Sequence, residues 1–401
     1  TVAGRGGVTT LDEEFGQGTP LRGGFVLSRS YGPIDASQGI RGDMLPAATS
    51  APARRPRKVG KVNKSRVTSM QVAHKAGVSQ SAVSRVFTPG GSVSDKTREK
   101  VMRAAESLGY SPNVLARAMT TGRSQIIGLV VAYLDNQFYP EAIERLAVAL
   151  QEQGYHALVF MATPTIGDTD DVMRQLLDYQ VDGIVLASVS MSSSLASKCE
   201  DHGIPVVLFN RDQDDARMSA VTTDNIEGGR AIARHFAEKG AQRVGYVAGF
   251  EGASTQIDRE KGFLQGLEEA GLSLAMREVG GFEYPLARTA ALEFCAGRDR
   301  PDAVFVCNDH MAFAFVDAVR HKIGMRIPED LLVAGFDDVP IAAWPAYDLT
   351  SYRQPINRMV AQTVDVLLAQ IDNADIPARK LRLEGELIVR GSTGGPSQRQ
   401  G

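Results

Sequence analysis

The chain has 401 residues, 43% of them hydrophobic, with three cysteines and a formal net charge of −3. That length exceeds one compact domain, and no run of about eighteen apolar residues is present to span a membrane. Residues 1–7 lack the apolar stretch of a secretory signal, and Cys199, Cys295 and Cys307 match neither a disulfide framework nor a metal-ligand spacing, so a reducing, cytoplasmic setting without metal or cofactor is expected.

The charge is unevenly placed. Residues 54–124 carry 15 Lys/Arg against 3 Asp/Glu, and residues 125–401 carry 25 against 39. A basic module ahead of an acidic body points to a polyanion as partner of the first. A basic segment that only solubilises is the alternative on charge alone.

Residues 1–60 are rich in Gly, Ser, Pro and Arg and show no sustained period, so they read as a disordered extension. The segment 61–111 reads as an all-α head. Thr68 or Ser69 caps a first helix with Val72, Ala73 and Ala76 inward, and Gly77 stops it. Ser79 caps a second helix carrying Val83 and Val86. Ser94 caps a third, with Val101, Ala104, Ala105 and Leu108 inward and Gly109 at its end. Ser111-Pro112 opens a fourth, short helix that stops near Gly122.

From residue 126 short β runs alternate with amphipathic helices. Strands are expected at 126–131, 156–160, 182–186, 205–209, 244–248, 303–307 and 331–335. Helices between them include 141–153, 226–239, 256–270 and 311–321. The alternation is that of doubly wound parallel sheets. Nearly all of 125–391 follows it, too much for one sheet, so two α/β lobes are expected. Residues 392–401 read as a disordered tail without heptads.

The tight Gly77-Val78-Ser79 connection, with small Ala73 where the helices cross, predicts a helix-turn-helix. Its second helix presents Gln80, Ser81, Ala82 and Arg85. Gln suits an adenine edge, Arg suits guanine O6/N7, and Ala suits a thymine methyl. Thr68, Ser79, Ser84 and Thr88 are placed to donate to phosphates. A helical hairpin with a polar surface is the bland alternative.

In open α/β sheets ligands sit beyond the carboxyl ends of the strands. The polar and aromatic residues at those ends are Asp135, Asn136, Phe138 and Tyr139, then Asn210, Arg211 and Asp212, then Asn308 and Asp309, then Asp337 and Asp338. Asp309 and Asp338 also suit helix caps, and Phe282 and Trp344 also suit core or lobe-interface positions. No nucleophile elbow, P-loop or GxGxxG fingerprint is found, and the six histidines are scattered, so catalysis is not expected.

VTSMQVAHKAGVSQSAVSRVF at 67–87, VSDKTREKV at 93–101, LGYSPN at 108–113 and ARAMTTGRS at 116–124 together resemble the head of the lactose/galactose repressor family. The resemblance runs to about residue 391 and leaves 1–60 unmatched. It implies a hinge helix within 112–124, with Asn113, Ala116 and Met119 in the minor groove. An apolar wedge kinks the duplex there; the family usually has Leu where this chain has Met119. It also implies a two-lobed body of periplasmic-binding-protein type, in which Phe138, Tyr139, Asn210, Arg259, Phe282, Asn308 and Asp337 line an effector pocket. Asn210 stands where some members carry an acid. The implied partners are pseudo-palindromic operator DNA, a second copy of the chain and a small molecule, expected to be a carbohydrate. The implied role is a ligand-controlled transcription regulator, most simply a repressor. A solute-binding protein and a nonspecific architectural DNA binder are the competing readings.

Overall fold

The computed structural model describes residues 67–87, 91–110, 123–162 and 166–394, with side chains left out at 166–168. Thr88, Asn113, Ala116 and Met119 lie outside the described residues, as do residues 112–122 of the hinge segment expected within 112–124.

The head consists of α1 (Ser69–Ala76), α2 (Gln80–Phe87) and α3 (Asp95–Leu108). Thr68 is the N-cap of α1: its hydroxyl accepts from Gln71 N at 3.4 Å, and Gln71 Oε1 accepts from Thr68 N at 2.8 Å. This reciprocal box satisfies two N–H groups that the first turn leaves without partners. Gly77 ends the helix at φ 65°, a left-handed conformation in which a Cβ is strained. Val72, Ala73, Ala76, Val83, Val86, Val101, Ala104 and Ala105 form one buried cluster, with Leu108 half-buried against it. Three amphipathic faces that cannot be covered separately are thus covered together.

The body holds two six-stranded sheets. In chain order its elements are β1 (Ile126–Val131), α4 (Phe138–Glu152), β2 (His156–Met161), α5 (Ile166–Asp178), β3 (Gly183–Ala187), α6 (Ser193–Asp201), β4 (Val206–Phe209), β5 (Ser219–Thr223) and α7 (Asn225–Glu238). There follow β6 (Val244–Ala248), α8 (Ser254–Glu269), β7 (Leu274–Val279), α9 (Tyr284–Cys295), β8 (Ala303–Val306), α10 (Asp309–Ala318), β9 (Leu332–Asp337), β10 (Thr350–Arg353), α11 (Ile356–Asp372), β11 (Lys380–Leu383) and β12 (Glu386–Ile388). The first sheet has order β11-β5-β4-β3-β1-β2 and is parallel throughout. The second has order β12-β10-β9-β8-β6-β7, with only β12 antiparallel.

The central strands β3, β4, β6 and β8 are buried at every residue. Sheets covered by helices on both faces require such continuous apolar runs. The chain changes lobe three times: between Thr223 and Asn225, between Arg353 and Ile356, and between Leu383 and Glu386. These crossings are bonded to one another. Asp224 N donates to Leu383 O at 2.8 Å, Gly385 N to the Tyr352 hydroxyl at 3.2 Å, and the Thr223 hydroxyl to Gln354 Oε1 at 2.6 Å.

Seven expected strands coincide with β1, β2, β3, β4, β6, β8 and β9 to within two residues at either end. Ser392 and Thr393, expected to begin a disordered tail, are instead buried, while residues 395–401 lie outside the described residues. The Ser392 hydroxyl donates to Val333 O at 2.7 Å, and the Thr393 hydroxyl lies 2.8 Å from His235 Nε2. Among the described residues no helix is long and apolar enough to cross a membrane.

Candidate DNA-reading helix and effector cleft

Helix α2 turns Val83 and Val86 into the head core and leaves Gln80, Ser81, Ser84 and Arg85 exposed; Ala82 is half-buried. Its exposed side chains are held rather than loose. Gln80 Nε2 donates to the Ser69 hydroxyl at 3.0 Å, which links the first turns of α1 and α2. The Ser79 hydroxyl accepts from Ala82 N at 3.2 Å and lies 3.0 Å from the Ser81 hydroxyl. Arg85 Nε donates to the Ser81 carbonyl at 3.4 Å. Thr68 and Ser79 are exposed at the N-termini of α1 and α2, where positive helix ends attract anions.

In the body a narrow cleft lies at the carboxyl ends of the strands, walled by both lobes. Tyr133, Asn136, Tyr139, Ser188 and Asn210 come from the first lobe, and Thr255, Arg259, Phe282, Asn308 and Asp337 from the second. Six of the seven residues singled out for the effector meet there. Phe138 does not: it is buried at the start of α4, its ring stacked on Phe209 at 6.3 Å and edge-on to Tyr139 at 5.4 Å. Its neighbour Tyr139 turns the other way and accepts from Asn210 Nδ2 at 3.3 Å.

Arg259 lies on the buried side of α8. It is 2% exposed, and each nitrogen of its guanidinium donates a hydrogen bond. Nε donates to Asn225 Oδ1 at 2.8 Å, Nη1 to Cys307 O at 2.7 Å and Nη2 to Asp337 Oδ1 at 3.2 Å. The Phe336 ring lies 3.7 Å beneath it, a cation–π contact. Close approach of α8 to α7 makes this possible: a Cβ on Gly262 would stand 1.9 Å from Ile226 O, and one on Gly229 2.2 Å from Arg259 O.

Asp337 also accepts from Gln354 Nε2 at 2.7 Å. Burial pushes its carboxyl up to about 6, against the opposing pull of Arg259 and Gln354. Asp309, fully buried behind it, accepts from the Ser351 hydroxyl at 2.7 Å and from Val339 N at 3.0 Å. Burial first, and the charge of Asp337 second, hold Asp309 well above the usual carboxylate range. Asn308, not Asp309, caps α10, its side chain accepting from Met311 N at 3.0 Å. Asp338 is paired with Arg353 and Arg390, each at 2.7 Å. Trp344 is 55% exposed and belongs to no core.

Tyr133, Ser188 and Thr255 complete the wall and escaped the sequence reading. A backbone signal accompanies half of the wall. Tyr133, Ser188, Asn210, Phe282 and Asp337 have φ of 58°, 65°, 56°, 67° and 119°. Such positive-φ, non-glycine residues gather where a fold holds its chain against preference to aim side chains. Among the described residues no cluster of His, Cys, Asp or Glu is arranged to hold a metal ion.

Comparison with known proteins assigns both parts. Residues 70–113 match the family of bacterial regulatory proteins, lacI family, and residues 233–393 match a periplasmic binding protein-like domain. The HTH-type transcriptional regulator DegA of Bacillus subtilis is 32% identical over 335 residues, 82% of this chain and 98% of the relative. The HTH-type transcriptional repressor PurR of Vibrio vulnificus is 30% identical over 327 residues, 80% of this chain and 97% of the relative. The chain belongs to the lacI family. This lacI-family protein is a DNA-binding transcription regulator with a small-molecule site in its two-lobed body. A solved structure of the transcriptional regulator CelR with cellobiose is 30% identical, with a TM-score of 0.62, covering 82% of this chain and all of that one. The lac repressor dimer bound to operator and an anti-inducer shares the fold, at TM-score 0.74 and 23% identity over 82% of this chain and 99% of that one.

Proposed function

We propose that this lacI-family regulator is a homodimeric repressor whose hold on operator DNA is set by a hydroxylated small molecule, a carbohydrate or a derivative, closed between the two lobes. Gln80, Ser81, Ala82 and Arg85 read base edges, and Thr68, Ser79, Ser84 and Thr88 fix the register on phosphates. Asn113, Ala116 and Met119 enter the minor groove, with Met119 as the apolar wedge. Tyr139, Asn210, Arg259, Phe282, Asn308 and Asp337 hold the effector. The cellobiose complex of CelR supports the sugar class, and so does a wall that mixes aromatic faces with directional polar groups.

The observation that carries this reading is the buried Arg259–Asp337 pair on the cleft wall, tied through Asn225 and Gln354 to two of the three lobe crossings. A ligand that engages the pair acts on the segments about which the lobes turn. It shifts operator affinity only as far as it prefers one lobe arrangement over the other. The chain performs no chemistry on the ligand, and its place of work is the cytoplasm beside its DNA.

A gel shift against the DNA flanking its own gene, with scrambled competitor, tests the proposal. Retention of the specific band over scrambled DNA at moderate salt is expected, as is its change on adding a sugar from a screen. Equal competition by scrambled DNA would leave only a nonspecific binder.

A further inference from the structure

The helical head is modestly charged for a module that meets a duplex. Residues 67–110 hold six Lys/Arg against three Asp/Glu. Two of the six cations are engaged within the head. Arg98 donates to Val86 O at 3.2 Å and to Gly91 O at 3.4 Å, which fastens α3 to the end of α2, and Arg103 is paired with Glu99 on α3. The thirteen residues just ahead of the head are far richer. Residues 54–66 carry Arg54, Arg55, Arg57, Lys58, Lys61, Lys64 and Arg66, and no acid. The run precedes residues 70–113, which match the lacI family, so it is an addition to the family's head.

The point at which the run joins the head is fixed. Val67 packs against the head core, and Thr68 is held in its capping box with Gln71. The Gln80–Ser69 bond ties the first turn of α1 to the first turn of α2. The run therefore enters the head beside the start of α2, the helix that presents Gln80, Ser81 and Arg85. Thirteen residues span at most about 43 Å, and one duplex turn is about 34 Å, so the groove next to the half-site is within reach. The sequence Arg55-Pro56-Arg57 disfavours a helix. Narrow minor grooves attract arginines inserted into them. The body offers the other anionic surface, since residues 125–401 carry 39 Asp/Glu against 25 Lys/Arg, but the point of entry beside α2 favours DNA.

We infer that residues 54–66 are a second DNA-binding element, an arginine-rich arm that follows the minor groove flanking the half-site read by α2. This rests on the reading of α2 as the base-contacting helix. The arm adds phosphate contacts that the head's own cations do not supply, and it lengthens the stretch of duplex each subunit covers.

Salt titration of the full-length protein tests this on a duplex from beside its own gene and on a scrambled duplex. Fluorescence anisotropy follows binding from about 50 to 200 mM KCl, where each phosphate contact adds about 0.9 to the slope of log K against log salt. The variant Arg54→Gln/Arg55→Gln/Arg57→Gln/Lys58→Gln is expected to flatten that slope by about 3 to 4 per subunit on both duplexes, with Tm unchanged. It should also lose hydroxyl-radical protection of the flanking minor groove and keep protection at the half-site. Arg54→Lys/Arg55→Lys/Arg57→Lys, which keeps the charge, should keep the slope. An unchanged slope in the Gln variant would overturn the arm. Tighter DNA binding by that variant would put the run on the acidic body as a brake, and overturn it as well. A flatter slope with the flanking protection intact would overturn the groove contact. If wild type shows no preference for its own DNA, the reading of α2 fails separately, and the slope on the scrambled duplex still decides the arm.

Discussion

Gln354 Nε2 donates to Asp337 Oδ1 at 2.7 Å, while Gln354 Oε1 receives the Thr223 hydroxyl at 2.6 Å. One buried amide thus joins the acid on the cleft wall to two separate crossings between the lobes. Opening or closing the lobes changes the torsions of those crossings, so Gln354 is where cleft occupancy and lobe angle meet. Gln354→Leu keeps the volume and removes both bonds. The ratio of operator Kd with and without effector, typically about 5- to 150-fold in allosteric proteins, is expected to collapse toward one. Effector affinity itself should change by less than about tenfold, because about 1 kcal/mol is the usual net worth of such a bond. An unchanged ratio would show that Gln354 does not transmit.

Arg259 and Asp337 form a pair in which each is about 3% exposed. Removing one member leaves the other charge buried, which costs about 3–5 kcal/mol. Arg259→Ala is therefore expected to lower stability as well as abolish effector response, and operator affinity must be measured below its reduced Tm. The double variant Arg259→Met/Asp337→Asn removes both charges. It should recover most of the lost stability in urea unfolding while still failing to respond to effector. Recovery of the response in that double variant would take the pair out of the recognition mechanism.

The carboxyl of Asp337 is pushed up to about 6 in the folded protein, above an ordinary Asp value of about 3.9. Between those limits the folded chain holds a proton that the unfolded chain has lost. The stability from this group is therefore complete below about pH 4 and is lost as pH rises through about 6. Ligand hydroxyls need the ionised form as acceptor, so effector binding should run the other way and weaken as pH falls from 7 to 5. Calorimetric titration across that range, repeated in Asp337→Asn, checks both signs. A flat affinity in wild type would mean that the carboxylate does not accept from the ligand.

The alternation of strands and helices made both lobes legible from apolar periodicity, and the caps Thr68, Ser79 and Ser94 with the stops Gly77 and Gly109 did the same for the head. Other strands were not visible. β7 (Leu274–Val279) alternates exposed and half-buried positions at a sheet edge, and β5 (Ser219–Thr223) is short and rich in Ser and Thr. β10, β11 and β12 are three or four residues long and flank lobe crossings. No local pattern encodes such crossings, since their pairing is wholly nonlocal. In the cleft, strand-end position located Asn210, Asn308 and Asp337. It could not separate Phe138 from Tyr139, because adjacent residues at a helix start point in different directions and only the sheet beneath decides which is buried. Ser188 and Thr255 are small polar residues whose type carries no signal of their placement.

Gln80 is fixed before any DNA arrives, since its amide donates to the Ser69 hydroxyl at 3.0 Å. A bidentate Gln–adenine pair is worth about 1–3 kcal/mol of discrimination, and it depends on the amide being held in plane with the base edge. Ser69→Ala leaves Gln80 free to rotate while leaving the Thr68–Gln71 capping box in place. The variant should relax preference at one base pair of each operator half-site and leave the other positions alone. A binding assay on a library of single-base operator variants measures this, and an unaltered preference at every position would remove Ser69 from the readout.

The tightest packing beside the cleft lies between α7 and α8, where Gly262 faces Ile226 O and Gly229 faces Arg259 O. A methyl on Gly262 would stand 1.9 Å from that carbonyl oxygen, and a backbone atom cannot rotate away as a side chain end can. Gly262→Ala must therefore push the two helices apart. It loosens the contacts of Phe263 with Phe236 and Tyr246 and shifts Arg259 from Asn225. Overpacking of a well-packed core costs about 1–3 kcal/mol, so a fall in Tm of several degrees is expected together with weakened effector binding. Gly271→Ala is the control: its φ of 71° strains the backbone, but a Cβ there meets nothing within 4 Å. It should lower stability and leave effector affinity unchanged. If Gly262→Ala also left effector affinity unchanged, the close helix approach would be a packing feature with no part in placing Arg259.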